Sequence, residues 1–330
     1  MNLGVKTTLF NFKIMRQKFP EFEDVQIAYN RIEPYVKKTP VLTSSSVNEI
    51  LGCSVYFKCE NFQKVGAFKF RGASNAVLSL SEKELKKGVA THSSGNHAAA
   101  LALAAKNAGV PSYIVMPENA PEIKKKAVAG YGAEIIFCEP TLEARELNLK
   151  DVIDKTGATF VHPYDNFYVI AGQGTAVMDL IEEIGNPDVM MCPVGGGGLL
   201  SGTSIATKML APNCRIIAGE PDEANDAWKS FTTGEFHPSV NPKTIADGLL
   251  TSLGELTFPI IQKNVDEIIT VSEALIIQAM RLIWERMKII IEPSSAVPVA
   301  AILKDPNKFA GKRVGLIISG GNVDLEKLPF

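Results

Sequence analysis

Short apolar runs alternate with longer segments of helical periodicity along most of the chain. The runs "SVYFKCE", "GVATHSS", "PSYIVMP" and "AEIIFCE" are bounded by Gly, Pro or Ser and predict strands. Between them, "GASNAVLSLSEKEL", "GNHAAALALAAKNAG" and "EIKKKAVAGYG" predict helices, the second alanine-rich and closed by Gly109. Further on, "DVMMCPV", "RIIAGE" and "RVGLIIS" repeat the strand pattern, and the first two precede segments of helical character. Strands alternating with helices predict an α/β protein of parallel sheets with helices on both faces. Residues 88–165 read as a small α/β domain inserted into a large one made of 1–87 and 166–330. No internal repeat or low-complexity segment interrupts the pattern.

Composition narrows the function classes. The chain has 330 residues, 46% hydrophobic and 21% charged, an ordinary globular balance with room for two domains. The net charge of -2 argues against a nucleic-acid or acidic-membrane partner. No apolar stretch approaches the ~18 residues a membrane span needs. Cys53, Cys59, Cys138, Cys192 and Cys214 are odd in number and lack C-x-x-C spacing, so a reducing, cytoplasmic setting is expected. His92, His97, His162 and His237 form no metal-ligand pattern. The first 20 residues carry Lys6, Lys13, Arg16 and Lys18 without an acid, which is faintly like a transit peptide. A short disordered extension is the expectation there.

The candidate chemistry starts at Lys69 in "FQKVGAFKFRGA", set between Phe68 and Phe70. An amine in apolar surroundings has a depressed pKa and can form a Schiff base; the alternative is a lysine whose stem covers apolar surface. The four glycines Gly195, Gly196, Gly197 and Gly198 follow a predicted strand and open a predicted helix. Backbone N–H groups converging there suit a phosphate, the alternative being a tight packing turn. The dinucleotide fingerprint fails, because Leu200 or Ser201 falls at its last glycine. The nucleotide P-loop fails as well, since Thr203, not lysine, follows Gly202. A phosphate loop without either signature, together with a Schiff-base lysine, points to pyridoxal phosphate. "SSGNH", at the end of another predicted strand, offers hydroxyls and a helix N-terminus to a carboxylate, and "SGGN" ends the last strand.

Taken together, "FQKVGAFKFRGA", "SSGNH", "GGGGLLSG", "EPDEAND" and "SGGN" resemble the fold type II pyridoxal-phosphate enzymes, which have two open parallel-sheet α/β domains of the tryptophan synthase β-like kind. Within them the chain is most similar to the branch of serine racemases and threo-3-hydroxyaspartate ammonia-lyases, with threonine and serine dehydratases more distant. The likeness runs from about Phe22 to Asp324, supported by "TPVLTSS", "IADG", "WERMK" and "IEPSSA".

The resemblance implies roles position by position. Lys69 is the Schiff-base lysine and the base at one face of the substrate Cα. Phe68 packs beside the cofactor ring, Asn96 bonds the ring hydroxyl, Gly195 to Gly198 hold the phosphate, and Ser319 faces the pyridine nitrogen. Ser93, Ser94, Asn96 and His97 receive the substrate carboxylate, with Arg145 a further substrate-side residue. In racemases of the branch, a serine at the position of Ser94 works opposite the lysine; hydroxyaspartate lyases also carry it, so Ser94 permits racemisation without proving it. Glu220, the carbonyl of Ala224 and Asp226 match a divalent-cation site suited to Mg²⁺, Ca²⁺ or Mn²⁺, the alternative being a solvated acidic turn.

The expected activity is racemisation of serine with dehydration of L-serine to pyruvate and ammonia, the alternative being a hydroxyaspartate or serine/threonine lyase without racemisation. β-Replacement chemistry, and a binding protein without turnover, are the other classes weighed. The implied partner is a small β-hydroxy amino acid, and the implied assembly a homodimer. Val65 and Ala67 depart from the animal racemase pattern near its nucleotide-activation region, which leans toward the lyase side and leaves a nucleotide effector open. Pro298 departs as well. The chain stops just after the last motif, so no C-terminal effector-binding domain is expected.

Overall fold

The computed structural model describes residues 19–120 and 122–330. The reading of the first 20 residues lies, for 1–18, outside the described residues. The strands are β1 (Val41–Leu42), β2 (Ser54–Cys59), β3 (Val89–His92), β4 (Ser112–Pro117), β5 (Glu134–Cys138), β6 (Thr159–Phe160), β7 (Val189–Pro193), β8 (Arg215–Pro221), β9 (Glu267–Val271) and β10 (Arg313–Ile318). They form a six-stranded sheet in the order β1-β2-β10-β7-β8-β9 and a four-stranded sheet in the order β5-β4-β3-β6. Every pairing is parallel except β1 with β2.

Both faces of the larger sheet are covered, as its continuous apolar strands require. Helices Glu273–Met287 and Pro293–Lys304 bury Phe57, Ile283, Val297, Ile302 and Leu316 on one side. Helices Phe167–Ile184 and Gly198–Leu210 cover the other with Ile170, Leu180, Leu200 and Ile205. Each such side chain, fully buried, contributes about 1.5–3 kcal/mol. Pro298 lies inside helix Pro293–Lys304 and is buried.

Local signals set most boundaries. Gly109 ends helix Asn96–Ala108 at φ 68°, in the left-handed region glycine enters without strain. One predicted helix is two. "GASNAVLSLSEKEL" breaks after Leu78, and a second helix, Glu82–Lys87, begins at a capping box in which Ser81 and Glu84 satisfy each other's backbone N–H. The cap satisfies N–H groups that a continuous helix would leave to its own carbonyls.

Helices Phe167–Ile184 and Gly198–Leu210 cross in backbone contact. A Cβ on Gly202 would lie 2.3 Å from the Ile170 carbonyl oxygen and 2.5 Å from the Gly174 nitrogen. Arg71, Lys58, Glu60 and Asp179 form a buried ion cluster beneath. No helix among the described residues is long and apolar enough to cross a membrane. All five cysteines are free and buried. Gly202→Ala is expected to cost about 2–3 kcal/mol through overpacking, read as a lowered urea midpoint at unchanged slope.

Candidate active site

Lys69 is delivered by a backbone pairing. Ala67 bridges Gly320 in antiparallel sense. Phe68 N–H donates to the Ser319 carbonyl at 2.9 Å, and Gly321 N–H to that of Gly66 at 2.9 Å. The turn before it runs through two left-handed residues, Val65 (φ 59°) and Gly66 (φ 70°). For a β-branched valine this stores on the order of 1–3 kcal/mol. Asn322 clamps the turn: its Nδ2 donates to the Val65 carbonyl at 2.8 Å, and its Oδ1 fills the place of a Gly66 Cβ.

Lys69 then begins helix Lys69–Leu78. Its Nζ donates to the Pro163 carbonyl at 2.8 Å and lies 5.2 Å from the centre of the Phe68 ring. Burial pulls its pKa from 10.5 down to about 8, while the Glu292 carboxylate pulls the other way. About a tenth of such an amine is neutral at pH 7, so it is a competent nucleophile toward an aldehyde.

The glycine loop packs against Tyr164, the residue that follows Pro163. Gly195 to Gly198 join β7 to helix Gly198–Leu210, and all four are buried. A Cβ on Gly196 would overlap the Tyr164 ring at 2.4 Å, and one on Gly198 would meet the Tyr164 backbone. Packing therefore demands part of this run, as the tight-turn alternative holds. The N–H groups of Gly195 to Leu199 nevertheless donate to no protein acceptor among the described residues. Buried donors left unpaired at a helix N-terminus fit a phosphate.

The remaining predicted residues fall in three places. Ser319 closes β10; its hydroxyl lies 2.9 Å from that of Ser295, which also takes Gly320 N–H at 2.7 Å. Ser93 and Ser94 follow β3, and Ser93 Oγ accepts from Gly95 N–H. Asn96 opens helix Asn96–Ala108 and donates to both oxygens of Glu292 at 3.1 Å. His97 is buried with Nε2 on the Val161 carbonyl, which fixes the proton there and leaves Nδ1 an unpartnered acceptor. Burial, with the Lys69 charge second, holds its pKa down to about 3. His97 thus supports the loop as a neutral ring. Arg145 stands apart: its Nε donates to the Thr141 carbonyl, and its charge acts on His92.

Three functional features escape sequence reasoning. "HPYDN", residues 162–166, is a turn in which every residue makes a defined contact. His162 Nδ1 accepts Asp165 N–H at 2.9 Å, Pro163 holds Lys69, and Tyr164 covers Gly196. The Asp165 carboxylate takes the N–H groups of Glu255, Leu256 and Thr257, and Asn166 caps helix Phe167–Ile184. The signals were a His-Pro pair and an Asn N-cap before an apolar helix. Glu292 and Ser295, in "IEPSSA", had no signal beyond their place at a helix start.

The acidic stretch lies at the end of β8. Glu220 accepts N–H groups of Ala227 (2.9 Å) and Trp228 (2.7 Å), and Asp226 Oδ2 is buried without a partner. Burial pushes Glu220 up to about 8 and Asp226 up to about 6. Ala224 and Asp226 border a polar cleft of about 530 Å³, which Glu220 does not line. An orphaned carboxylate oxygen in a cleft of oxygen donors fits a hard divalent cation.

The amine at Pro163 and the phosphate cradle at Tyr164 are held by adjacent residues. On parallel sheets, with the loops at strand carboxyl ends, this is the arrangement of a fold type II pyridoxal-phosphate enzyme. A family model described as pyridoxal-phosphate dependent enzyme matches residues 32–320, and the chain belongs to that family. It is 55% identical over 310 residues to a serine racemase of Dictyostelium discoideum, covering 93% of this chain and 96% of the relative. It is 51% identical over 311 residues to a beta-hydroxyaspartate dehydratase of Paracoccus denitrificans, covering 94% and 99%. The crystal structure of the Dictyostelium discoideum racemase superimposes with a TM-score of 0.90 at 55% identity, covering 93% of this chain and 99% of that one.

The lowered pKa of Lys69 has a direct test. Capture of pyridoxal phosphate by the cofactor-free chain should accelerate with pH, half-maximal near the pKa of about 8. Stopped-flow absorbance reads the rate, and Lys69→Ala should show no capture.

Proposed function

We propose that the chain racemises serine and eliminates water from L-serine to give pyruvate and ammonia, with pyridoxal phosphate as cofactor. The Lys69 amine, depressed in pKa beside the buried N–H cradle of the glycine loop, is the observation that carries this reading. The names of the relatives support the substrate class. A hydroxyaspartate lyase is the second reading, favoured by the Paracoccus relative and by Val65 and Ala67.

In this reading Gly195 to Gly198 hold the phosphate, Phe68 packs beside the ring, Asn96 bonds the ring hydroxyl and Ser319 faces the pyridine nitrogen. Ser93, Ser94, Asn96 and the support of His97 present the helix N-terminus at Asn96 to the substrate carboxylate. Bound there, the cofactor supplies a sink for the electron pair left when a Cα proton departs. Lys69 removes that proton from one face. Ser94 returns a proton at the other face, assisted by its neighbours because a bare hydroxyl is a weak acid. Departure of the β-hydroxyl as hydroxide from the same deprotonated substrate leaves aminoacrylate, which water hydrolyses to pyruvate and ammonia. Arg145, which stands apart from these residues, is the further substrate-side candidate.

Glu220, Ala224 and Asp226 bind Mg²⁺ or a similar cation, a role supported by the unpartnered Asp226 oxygen. Residues 88–165 act as the small domain and 1–87 with 166–330 as the large one, a division supported by the two sheets. We place the enzyme in the cytoplasm as a homodimer, with a nucleotide effector open.

Two experiments test this reading. With L-serine and Mg²⁺, the purified chain should yield D-serine by chiral chromatography and pyruvate in a coupled assay, and Ser94→Ala should lower D-serine formation about 100-fold while pyruvate persists. Unchanged D-serine in that variant removes Ser94 from the mechanism; pyruvate without D-serine from the parent chain selects the lyase reading. Millimolar Mg²⁺ should raise the melting temperature by a few degrees, and Asp226→Asn should remove that rise.

A further inference from the structure

Glu292 is a carboxyl group at the centre of the site to which the mechanism gives no task. It is 4% exposed and stands before helix Pro293–Lys304, yet its side chain makes no cap to that helix. The carboxylate turns instead toward the segments that carry the site. Asn96 Nδ2 donates to both its oxygens at 3.1 Å, and Asn322 N–H donates to Oε2 at 3.2 Å. Gly320 approaches so closely that a Cβ there would lie 2.8 Å from Oε1.

The triangle is closed by Asn322, whose Nδ2 donates to Asn96 Oδ1 at 2.9 Å. Asn96 is thereby held at both ends. Its amide nitrogen faces an acceptor and its oxygen faces a donor. Flipping the amide would set oxygen against carboxylate and NH₂ against NH₂, so the charge on Glu292 decides the orientation. One N–H shared between the two carboxylate oxygens leaves the other free for a ligand.

We propose that Glu292 is a positioning residue of the active site: its carboxylate, with Asn322, locks the Asn96 amide so that a single N–H stays aimed at the bound cofactor. The inference rests on the pyridoxal-phosphate reading and on Asn96 as the partner of the ring hydroxyl. A carboxylate accepts from Asn96 and from Asn322 N–H together. A glutamine oxygen in the place of Oε2 could take both, but its NH₂ in the place of Oε1 would then stand about 3.1 Å from the Asn96 nitrogen, donor against donor.

The lock is sensitive to protonation. Burial, then the Asp247 charge, raises the Glu292 pKa to about 7. The charged groups facing it are Lys69 from the start of helix Lys69–Leu78, Lys124 from helix Glu122–Gly130 and Asp247 from the turn Asp247–Leu249. Lys124 and Asp247 pair at 2.7 Å, which leaves Lys69 as the unpaired counter-charge.

The test uses the full chain loaded with pyridoxal phosphate. The visible absorption band of the parent chain should shift through one transition near neutral pH. Glu292→Gln should remove that transition and weaken cofactor binding about tenfold, read by titration of the cofactor-free chain. Asn96→Ala should weaken it by a similar factor, and the double variant no further. Asn322→Ala, which leaves the carboxylate in place, should keep the pH transition with a smaller loss of affinity, and it serves if Glu292→Gln fails to fold. A Glu292→Gln chain that retains the transition, losses that multiply in the double variant, or an Asn322→Ala chain that binds the cofactor as the parent does, each overturns the lock. A parent chain that develops no visible band overturns the cofactor reading itself.

Discussion

The arrangement of this site depends on a buried ion cluster. The Arg71 guanidinium takes Glu60 through two nitrogens, at 2.8 and 2.9 Å, and reaches Asp179 at 2.7 Å and Thr175 at 3.2 Å. Lys58 adds a second cation on Asp179, Tyr29 donates to its other oxygen, and Thr39 donates to Glu60. Two cations meet two carboxylates, so burial leaves no net charge uncompensated. Breaking one member would cost several kcal/mol, because the partner would stay charged in the interior. The cluster ties β2 and helices Phe22–Ile32, Lys69–Leu78 and Phe167–Ile184 together. Arg71 shares a helical turn with Lys69, and Asp179 lies on the helix that starts just after Pro163. Both ends of the Lys69–Pro163 hydrogen bond are thus fixed by one set of charges.

The sheets then bring the loops together. Ser319 follows β10, the glycines follow β7 and Glu220 lies one residue before the end of β8, all at the carboxyl edge of parallel strands of one sheet. Ser93 and Ser94 occupy the same edge of β3 in the second sheet. The "HPYDN" turn bridges the two, because Asp165 is seated on the N–H groups before helix Thr257–Asn264 while His162 follows β6. Parallel strands make this geometry cheap to build: each crossover returns the chain to the same edge.

Much of this was legible in the sequence. Parallel α/β architecture followed from short apolar runs and glycine-bounded helices, and the cofactor from the failure of two nucleotide fingerprints beside a lysine in apolar company. What escaped shares a physical cause. β9 and the two-residue β1 and β6 are strands by pairing, not by pattern. The break at Ser79–Ser81 hid inside a helical period, its capping box readable only once the helix end was known. Glu292 carries no local signal of its own, and only the approach of Asn96 and Asn322 from 226 residues apart gives it work. Tyr164 and Asp165 act through the tertiary neighbours they meet, which no local spacing encodes.

Charge bookkeeping around the amine narrows the chemistry further. Histidine is the usual proton carrier near neutral pH, and three lie close by. His97 is held near 3 and His162 near 4, in each case first by burial, and His92 is lowered by burial and then by Arg145. The rings of His92 and His162 belong to an aromatic row, His92 to Phe160 at 5.8 Å, Phe160 to His162 at 5.6 Å and His162 to Tyr164 at 4.5 Å. The row walls one side of the Lys69 turn with weakly polar surface, in keeping with the desolvation that lowers the Lys69 pKa. Neutral rings in such a wall have little capacity to deliver a proton. The groups left include the Lys69 amine, the Glu292 carboxylate that accepts from Asn96, the hydroxyls of Tyr164, Ser295 and Ser319, and those of the β3 loop. Among the hydroxyls of the β3 loop, Ser94 is the one to which our proposal gives the second proton transfer.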